Sequence, residues 1–157
     1  MPEITLRLFT DPDAAATADL FYRAIHEGTR DHYTTEQRRA WAPQRPETTC
    51  WRERLNSQYA VIAETGPDLA GFMTLDENGY IDLAFVDPAH TGQGIGSALL
   101  NAITTEASRR GMHRLKTHAS LAARPFFERH GWTIVKQQTI TRGGAGLANY
   151  VMEVTVP

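Results

Sequence analysis

Between Leu83 and Leu100 the chain reads LAFVDPAHTGQGIGSALL, and few folds accommodate a segment of this kind. An apolar strand pattern ends at Val86, Asp87-Pro88 interrupts it, and Gly92, Gly94 and Gly96 lead into the helical run Ala98, Leu99, Leu100. The reading is strand, glycine loop, helix. Alternate glycines permit positive φ and let a ligand approach the backbone without meeting Cβ atoms. At a helix start, unpaired N–H groups and the positive end of the dipole favour a phosphate or pyrophosphate. A Walker loop is excluded, because no Lys follows any of these glycines. The dinucleotide fingerprint would use Gly92 and Gly94 but meets Ser97 at its third glycine, and the stretch around Lys116 lacks the ribose-binding acid.

Flanking elements follow from period and punctuation. Ile4, Leu6 and Leu8 alternate with Thr5 and Arg7, the period of a half-buried strand, and Asp11-Pro12-Asp13 then opens a helix with Asp11 as cap. That helix runs to about Glu27, ends at Gly28, and buries Leu20, Phe21, Ala24 and Ile25. Thr34 with Gln37 forms a capping box for a short helix that stops before Pro43, and another helix spans about Glu47 to Leu55. Tyr59–Ala63, Leu69–Leu75 and Tyr80–Val86 make an antiparallel meander, the second connection carrying the hairpin signal Asn78-Gly79. After the glycine loop and its helix, Arg114–His118 lies parallel to Tyr80–Val86 in a right-handed crossover. Ser120 caps a further helix, and Val135–Thr141 with Leu147–Val156 closes the chain around a glycine-rich turn.

With Val86, Asp87-Pro88 and Thr91-Gly92-Gln93-Gly94-Ile95-Gly96 set out, the segment resembles the GNAT acyl-CoA-dependent N-acetyltransferases. Their pattern is a strand ending in Val, an x-Pro break, and Arg/Gln-x-x-Gly-x-Gly/Ala opening a helix. Thr91 departs from it, which implies weakened but not abolished cofactor binding, since the family's loop holds the coenzyme A pyrophosphate mainly through backbone N–H groups. The likeness continues through a Gly111-capped helix, the following strand, and ASLAARPFFERHGW with its Phe126-Phe127 and Gly131-Trp132. Trp41-Ala42-Pro43 resembles a small bacterial branch of that family.

The resemblance implies one α/β domain over residues 1–157 with a GNAT fold: a mixed, mostly antiparallel sheet of about six to seven strands with helices on both faces. It implies acetyl transfer from acetyl-CoA directly to a primary amine of a small molecule. Phe85 and Val86 then offer strand backbone to pantetheine, which pairs as an extra strand would. Thr91, Gly92, Gln93, Gly94, Ile95, Gly96 and Ser97 form the cofactor loop, and Ser120 and Phe127 occupy the positions nearest the thiol. Phe127 stands where many members carry Tyr and has no proton to give, leaving water or Tyr150 on the last strand.

The resemblance also implies that the helices after the first strand form one wall of the acceptor pocket, which brings in His26, Tyr33 and Trp41 as candidate substrate contacts. Two residues compete as general base. Asp82 shares a strand face with Tyr80, Ala84 and Val86 and would need a raised pKa, whereas His118 titrates near neutrality unaided. Ion pairing is the structural alternative for Asp82, and packing the alternative for His118 and Trp41.

Composition sets the outer limits. A net charge of -2 forces no broad basic face toward nucleic acid or membrane, and a single cysteine, Cys50, allows no intrachain disulfide and fits a reducing cytoplasm. Neither a signal peptide nor a spanning segment is expected, and the scattered histidines suggest no metal. A homodimer is compatible with the family. Two other readings stand beside the enzyme: a non-catalytic acyl-CoA-binding regulatory module, kept open by Thr91 and Phe127, and a dinucleotide-binding oxidoreductase, separable by NAD binding.

Overall fold

The computed structural model describes residues 3–157. The chain runs β1 (Ile4–Leu8), α1 (Ala14–Gly28), α2 (Thr35–Trp41), α3 (Thr48–Asn56), β2 (Tyr59–Thr65), β3 (Asp68–Leu75), β4 (Tyr80–Ile81) and β5 (Ala84–Val86). It continues through α4 (Ile95–Arg109), β6 (Arg114–Ser120), α5 (Arg124–Arg129), β7 (Thr133–Arg142) and β8 (Ala145–Thr155). The strands form two four-stranded sheets, ordered β1-β2-β3-β5 and β4-β6-β8-β7. Among the described residues only the β4–β6 pair is parallel, and the remaining ladders are antiparallel.

Alternation along β2 and β3 explains the layers. Val61, Ala63 and Met73 pack with Ile95, Leu99 and Ile103 of α4, while Ala60, Ile62 and Phe72 pack with Leu20, Trp51 and Leu55 of α1 and α3. Both faces of the first sheet are therefore covered by helices. β1 is an edge strand, so the expected alternation buries little: Leu6 and Leu8 remain 37% and 55% exposed, and Ile4 alone packs on the α4 core.

Caps agree with the sequence at some helices and not at others. Thr34 and Gln37 form the capping box of α2, with Gln37 N–H donating to Thr34 Oγ1 at 3.1 Å and Thr34 N–H to Gln37 Oε1 at 2.8 Å. At α1 the cap shifts from Asp11. Thr10 begins a 3-10 turn over Asp11–Asp13, and its N–H donates to Asp13 Oδ2 at 2.8 Å. Arg7 grips the same Asp13 carboxylate with two hydrogen bonds of 2.8 Å, tying β1 to the helix start. Likewise, Ser120 ends β6 rather than capping α5; its Oγ accepts from Ala123 N–H within the intervening turn. Gly143 and Gly144, with φ of 53° and 81°, make the two-residue turn between β7 and β8.

The expected strand Tyr80–Val86 divides. Tyr80 and Ile81 pair with Lys116 and Thr117 of β6, whereas Ala84, Phe85 and Val86 pair with Met73, Phe72 and Gly71 of β3. At the break one backbone bond remains, Thr74 N–H to the Leu83 carbonyl at 2.9 Å, and side chains take over from the ladder elsewhere: Leu83 N–H donates to Thr74 Oγ1 at 3.0 Å, and Thr117 Oγ1 donates to the Ile81 carbonyl at 2.9 Å. Both threonines are buried, so the interruption is satisfied and fixed. Beyond Thr117 the two sheets part.

Candidate active site

The parting of β5 from β6 creates a V-shaped gap with a cleft on each side. Leu83 O accepts from Thr74 N–H and Asp87 N–H donates to Ala70 O, so strand alternation turns the Phe85 backbone toward β3 and those of Ala84 and Val86 toward the gap. Val86 thus turns its backbone toward the gap. Phe85 does not. Its ring instead packs against Phe21, with centroids 5.0 Å apart, and Phe72, at 5.8 Å.

One cleft, of about 380 Å³, is lined by Val86, Thr91, Gly92, Gly94, Ile95, Gly96 and Ser97, together with Ser120, Phe126 and Phe127. Gly92 and Gly94 have φ of 78° and 83°, and no atom lies within 4 Å of where a Cβ would stand, so conformation rather than space requires glycine there. Gly94 caps α4, whose first intrahelical donor is Ala98 N–H to Gly94 O at 3.0 Å. The N–H groups of Ile95, Gly96 and Ser97 precede that donor and begin a fifteen-residue helix, which suits them to a pyrophosphate. Gly96 has a different role from its neighbours: a Cβ there would stand 2.9 Å from Phe126 Cε1, so its absence lets α5 pack over the start of α4. Thr91 Oγ1 turns back to the Pro88 carbonyl at 3.1 Å. The sequence reading missed Arg129, which lines this cleft, and His130, whose Nε2 lies 3.0 Å from Ser97 Oγ.

The second cleft is a cavity of about 350 Å³ reaching the same gap, with Trp41, Ala84, Phe85, Ser120, Ala123 and Phe127 common to both. Asp82 and His118 both line it, as does Tyr80, whose ring is 5.3 Å from the His118 ring. The register Tyr80↔Lys116 puts Tyr80, Asp82 and His118 on one face.

Their electrostatics differ from the sequence expectation. Arg54 holds Asp82 through two 2.9 Å hydrogen bonds, and Gln58 Nε2 adds a third at 2.9 Å. Burial pushes the Asp82 carboxyl up, but those donors together with the Arg54 and Arg142 charges outweigh it, and the net shift is downward. The raised pKa expected of a carboxylate base is thus corrected: Asp82 is an ionised, donor-held group. His118 is shifted downward by burial and by the Lys136 charge, so its imidazole is neutral at neutral pH. Tyr80 is shifted upward by burial and the Asp82 charge, and keeps its phenolic proton.

Of the expected acceptor contacts, Trp41 lines both clefts and packs edge-on to Tyr33 at 5.7 Å. Tyr33 also lines the cavity, but its hydroxyl is fully engaged. It donates to the Ala148 carbonyl at 2.6 Å and accepts from Leu121 N–H at 3.0 Å. His26 lines neither cleft, because its Nε2 meets the Ala42 carbonyl at 2.6 Å. Tyr150 likewise lies away from both, under the Arg124 guanidinium at 5.2 Å. Asn149 and Arg142 are lining residues that sequence periodicity could not single out. Among the described residues no helix is long and apolar enough to cross a membrane, and no group of three or more His, Cys, Asp or Glu side chains could hold a metal ion.

The comparisons with known proteins agree with this geometry. A family model for the acetyltransferase (GNAT) domain matches residues 29–154. The chain is 34% identical over 97% of its length to YafP, an uncharacterised N-acetyltransferase of Escherichia coli (strain K12), and the match covers 96% of that protein. A GCN5-related N-acetyltransferase from Rhodopseudomonas palustris superposes with a TM-score of 0.92 at 32% identity, covering 99% of this chain and 96% of that one. YncA of Salmonella typhimurium, a putative acetyltransferase solved with acetyl-CoA, shares the fold with a TM-score of 0.75 at 20% identity, covering 99% and 95%. The glycine loop on α4, the split strand and the two joined clefts are thus those of a chain that belongs to the GNAT acetyltransferases.

Proposed function

We propose that this protein transfers an acetyl group from acetyl-CoA directly to the primary amine of a small molecule, with His118 as general base. The observation that carries this reading is the meeting of two clefts at one gap: a loop of free backbone donors on one side, a cavity with Asp82 and His118 on the other. Pyrophosphate on the α4 N-terminus and pantetheine along the free edge of β5 would bring the thioester to the mouth of the cavity. Alignment of thioester and amine can itself supply about 7 to 11 kcal/mol of barrier reduction.

The proton accounting assigns the side chains. An ammonium with a pKa of about 10 must lose a proton before it can attack. Asp82, ionised but paired with Arg54, can still accept a hydrogen bond from the ammonium, and His118, neutral, takes the proton. The amine nitrogen then bonds to the thioester carbonyl carbon and gives up its second proton to solvent, the C–S bond breaks, and the thiolate leaves. Phe127 is buried against Trp132 with centroids 4.9 Å apart and supplies no acid, so solvent protonates the thiolate. Backbone N–H groups facing the gap polarise the carbonyl oxygen.

The test is release of free coenzyme A from acetyl-CoA across a panel of amines, with mass spectrometry of the acceptor. Amine-dependent release with acetylated product is expected. Tight acetyl-CoA binding without turnover on any amine would instead favour an acyl-CoA-binding regulatory module.

A further inference from the structure

The acceptor cavity holds two polar groups that the proposed chemistry does not use. Asn149, on β8, is only 8% exposed, and its Oδ1 is buried with no hydrogen-bond partner among the described residues. An orphaned buried acceptor is destabilising, and this one lines the cavity, where a ligand that donates hydrogen bonds would satisfy it. Arg142, at the end of β7, lines the cavity and not the cofactor cleft, and its side chain makes no hydrogen bond or ion pair among the described residues. Its backbone is nonetheless fixed. The adjoining Gly143 abuts Ala40 of α2, an added Cβ standing 3.5 Å from the Ala40 Cβ, and Gln37 Nε2 donates to the Gly146 carbonyl at 3.0 Å.

Charge counting narrows what could fill this space. Two guanidiniums face the single Asp82 carboxylate, Arg54 through two hydrogen bonds and Arg142 through its charge alone, and His118 is neutral, so the cavity lining keeps one positive charge in excess, with the Arg142 donors unused. Apolar rings of Phe21, Trp41, Trp51 and Phe85 make up much of the remaining wall. A polycation would meet repulsion there, whereas a molecule with an amine, a carboxylate and an apolar body would meet a partner for each part.

We infer that the acceptor is an α-amino acid or close analogue with an apolar side chain, its carboxylate received by Arg142 and an amine hydrogen by the Asn149 carboxamide oxygen. This rests on the acetyl-transfer reading and names the substrate class of that same cavity. Asp82 and His118 then act on the amine from the strand side, and the carboxylate points to the rim formed by the β7–β8 hairpin.

Matched acceptors test it: phenylalanine against phenethylamine and leucine against isopentylamine, with spermidine as the polycation. The expected result is a kcat/KM at least about tenfold higher for each amino acid than for its decarboxylated partner. Arg142→Gln should erase that ratio without changing acetyl-CoA affinity, and Arg142→Lys should restore part of it. Asn149→Ala should raise KM for both members of a pair. Equal or reversed preference, or a ratio unchanged in Arg142→Gln, overturns the inference. Acetylation of spermidine but of no amino acid overturns it while leaving acetyl transfer standing. If no amine is acetylated, the transfer reading falls. Calorimetry with phenylalanine on the coenzyme A-loaded protein still decides the inference: Arg142-dependent binding supports it, and no binding overturns it.

Discussion

The two clefts that meet at the split strand are built on opposite principles. The donors that the cofactor cleft offers an anion are backbone groups from one contiguous stretch, a broken strand, two left-handed glycines and the first turn of α4, although α1, β6 and α5 add side chains to its walls. The acceptor cavity is made of side chains drawn from α1, α2, α3, the β4–β5 break, β6, β7 and β8. Backbone recognition tolerates substitution of side chains and depends on conformation. Side-chain recognition has the opposite sensitivity, so substitutions should separate the two clefts cleanly.

The largest effect is expected on the acceptor side. His118→Ala should lower kcat by about 10²-fold or more while leaving acetyl-CoA affinity intact, as measured by turnover and calorimetry. In the wild type, the acid limb of kcat/KM assigned to His118 should lie below pH 6.5, because burial shifts its pKa downward, and this limb should vanish in the variant. A parallel loss of cofactor affinity would break the distinction between the clefts.

Gly94→Ala should act in the reverse sense. Its φ of 83° becomes strained by about 1–2 kcal/mol, so acetyl-CoA affinity should fall by about 5- to 30-fold with the acceptor KM little changed.

Asp13→Asn touches neither cleft and measures the scaffold alone. The buried Asp13 carboxylate accepts from Arg7 and Thr10, so urea unfolding at neutral pH should show a loss of about 1.5–3 kcal/mol with kcat retained. The Arg7 hydrogen bonds, opposed by burial, leave the folded pKa of Asp13 below 3.8. This contribution is therefore present above pH 3.8 and fades as pH falls through the folded value, where wild type and variant should converge.

Thr91→Arg is expected to have the smallest effect. An exposed guanidinium beside the loop should tighten acetyl-CoA by about 1.5- to 5-fold, reduced at high salt.

The same contrast explains what could be read from the sequence. Gly92 and Gly94 announce themselves because their left-handed backbone is set by the glycines themselves, and the Thr34–Gln37 box and the Gly143-Gly144 turn are local for the same reason. The division of Tyr80–Val86 was hidden, since it depends on Thr74 and Thr117 replacing the ladder from other strands. Asp82 carried no sign of Arg54 and Gln58, which lie 28 and 24 residues away, and its carboxyl is lowered where a raised one was expected. Tyr33 looked like a substrate contact, yet its hydroxyl joins segments 115 and 88 residues distant. Arg142 and Asn149 reach the cavity only because the β7–β8 hairpin folds over it.

The free edge of β5 carries a thermodynamic consequence. On the proposed reading, pantetheine supplies the strand missing between β5 and β6, so acetyl-CoA would be a component of the sheet as well as a reactant. Mass action then makes the melting temperature a function of cofactor concentration. At a hundredfold excess over Kd, linkage adds about 2.7 kcal/mol, which for a chain of this length raises Tm by several degrees. The protein would become more resistant to unfolding and proteolysis as the acetyl-CoA supply rises, tying its persistence to the metabolite it consumes.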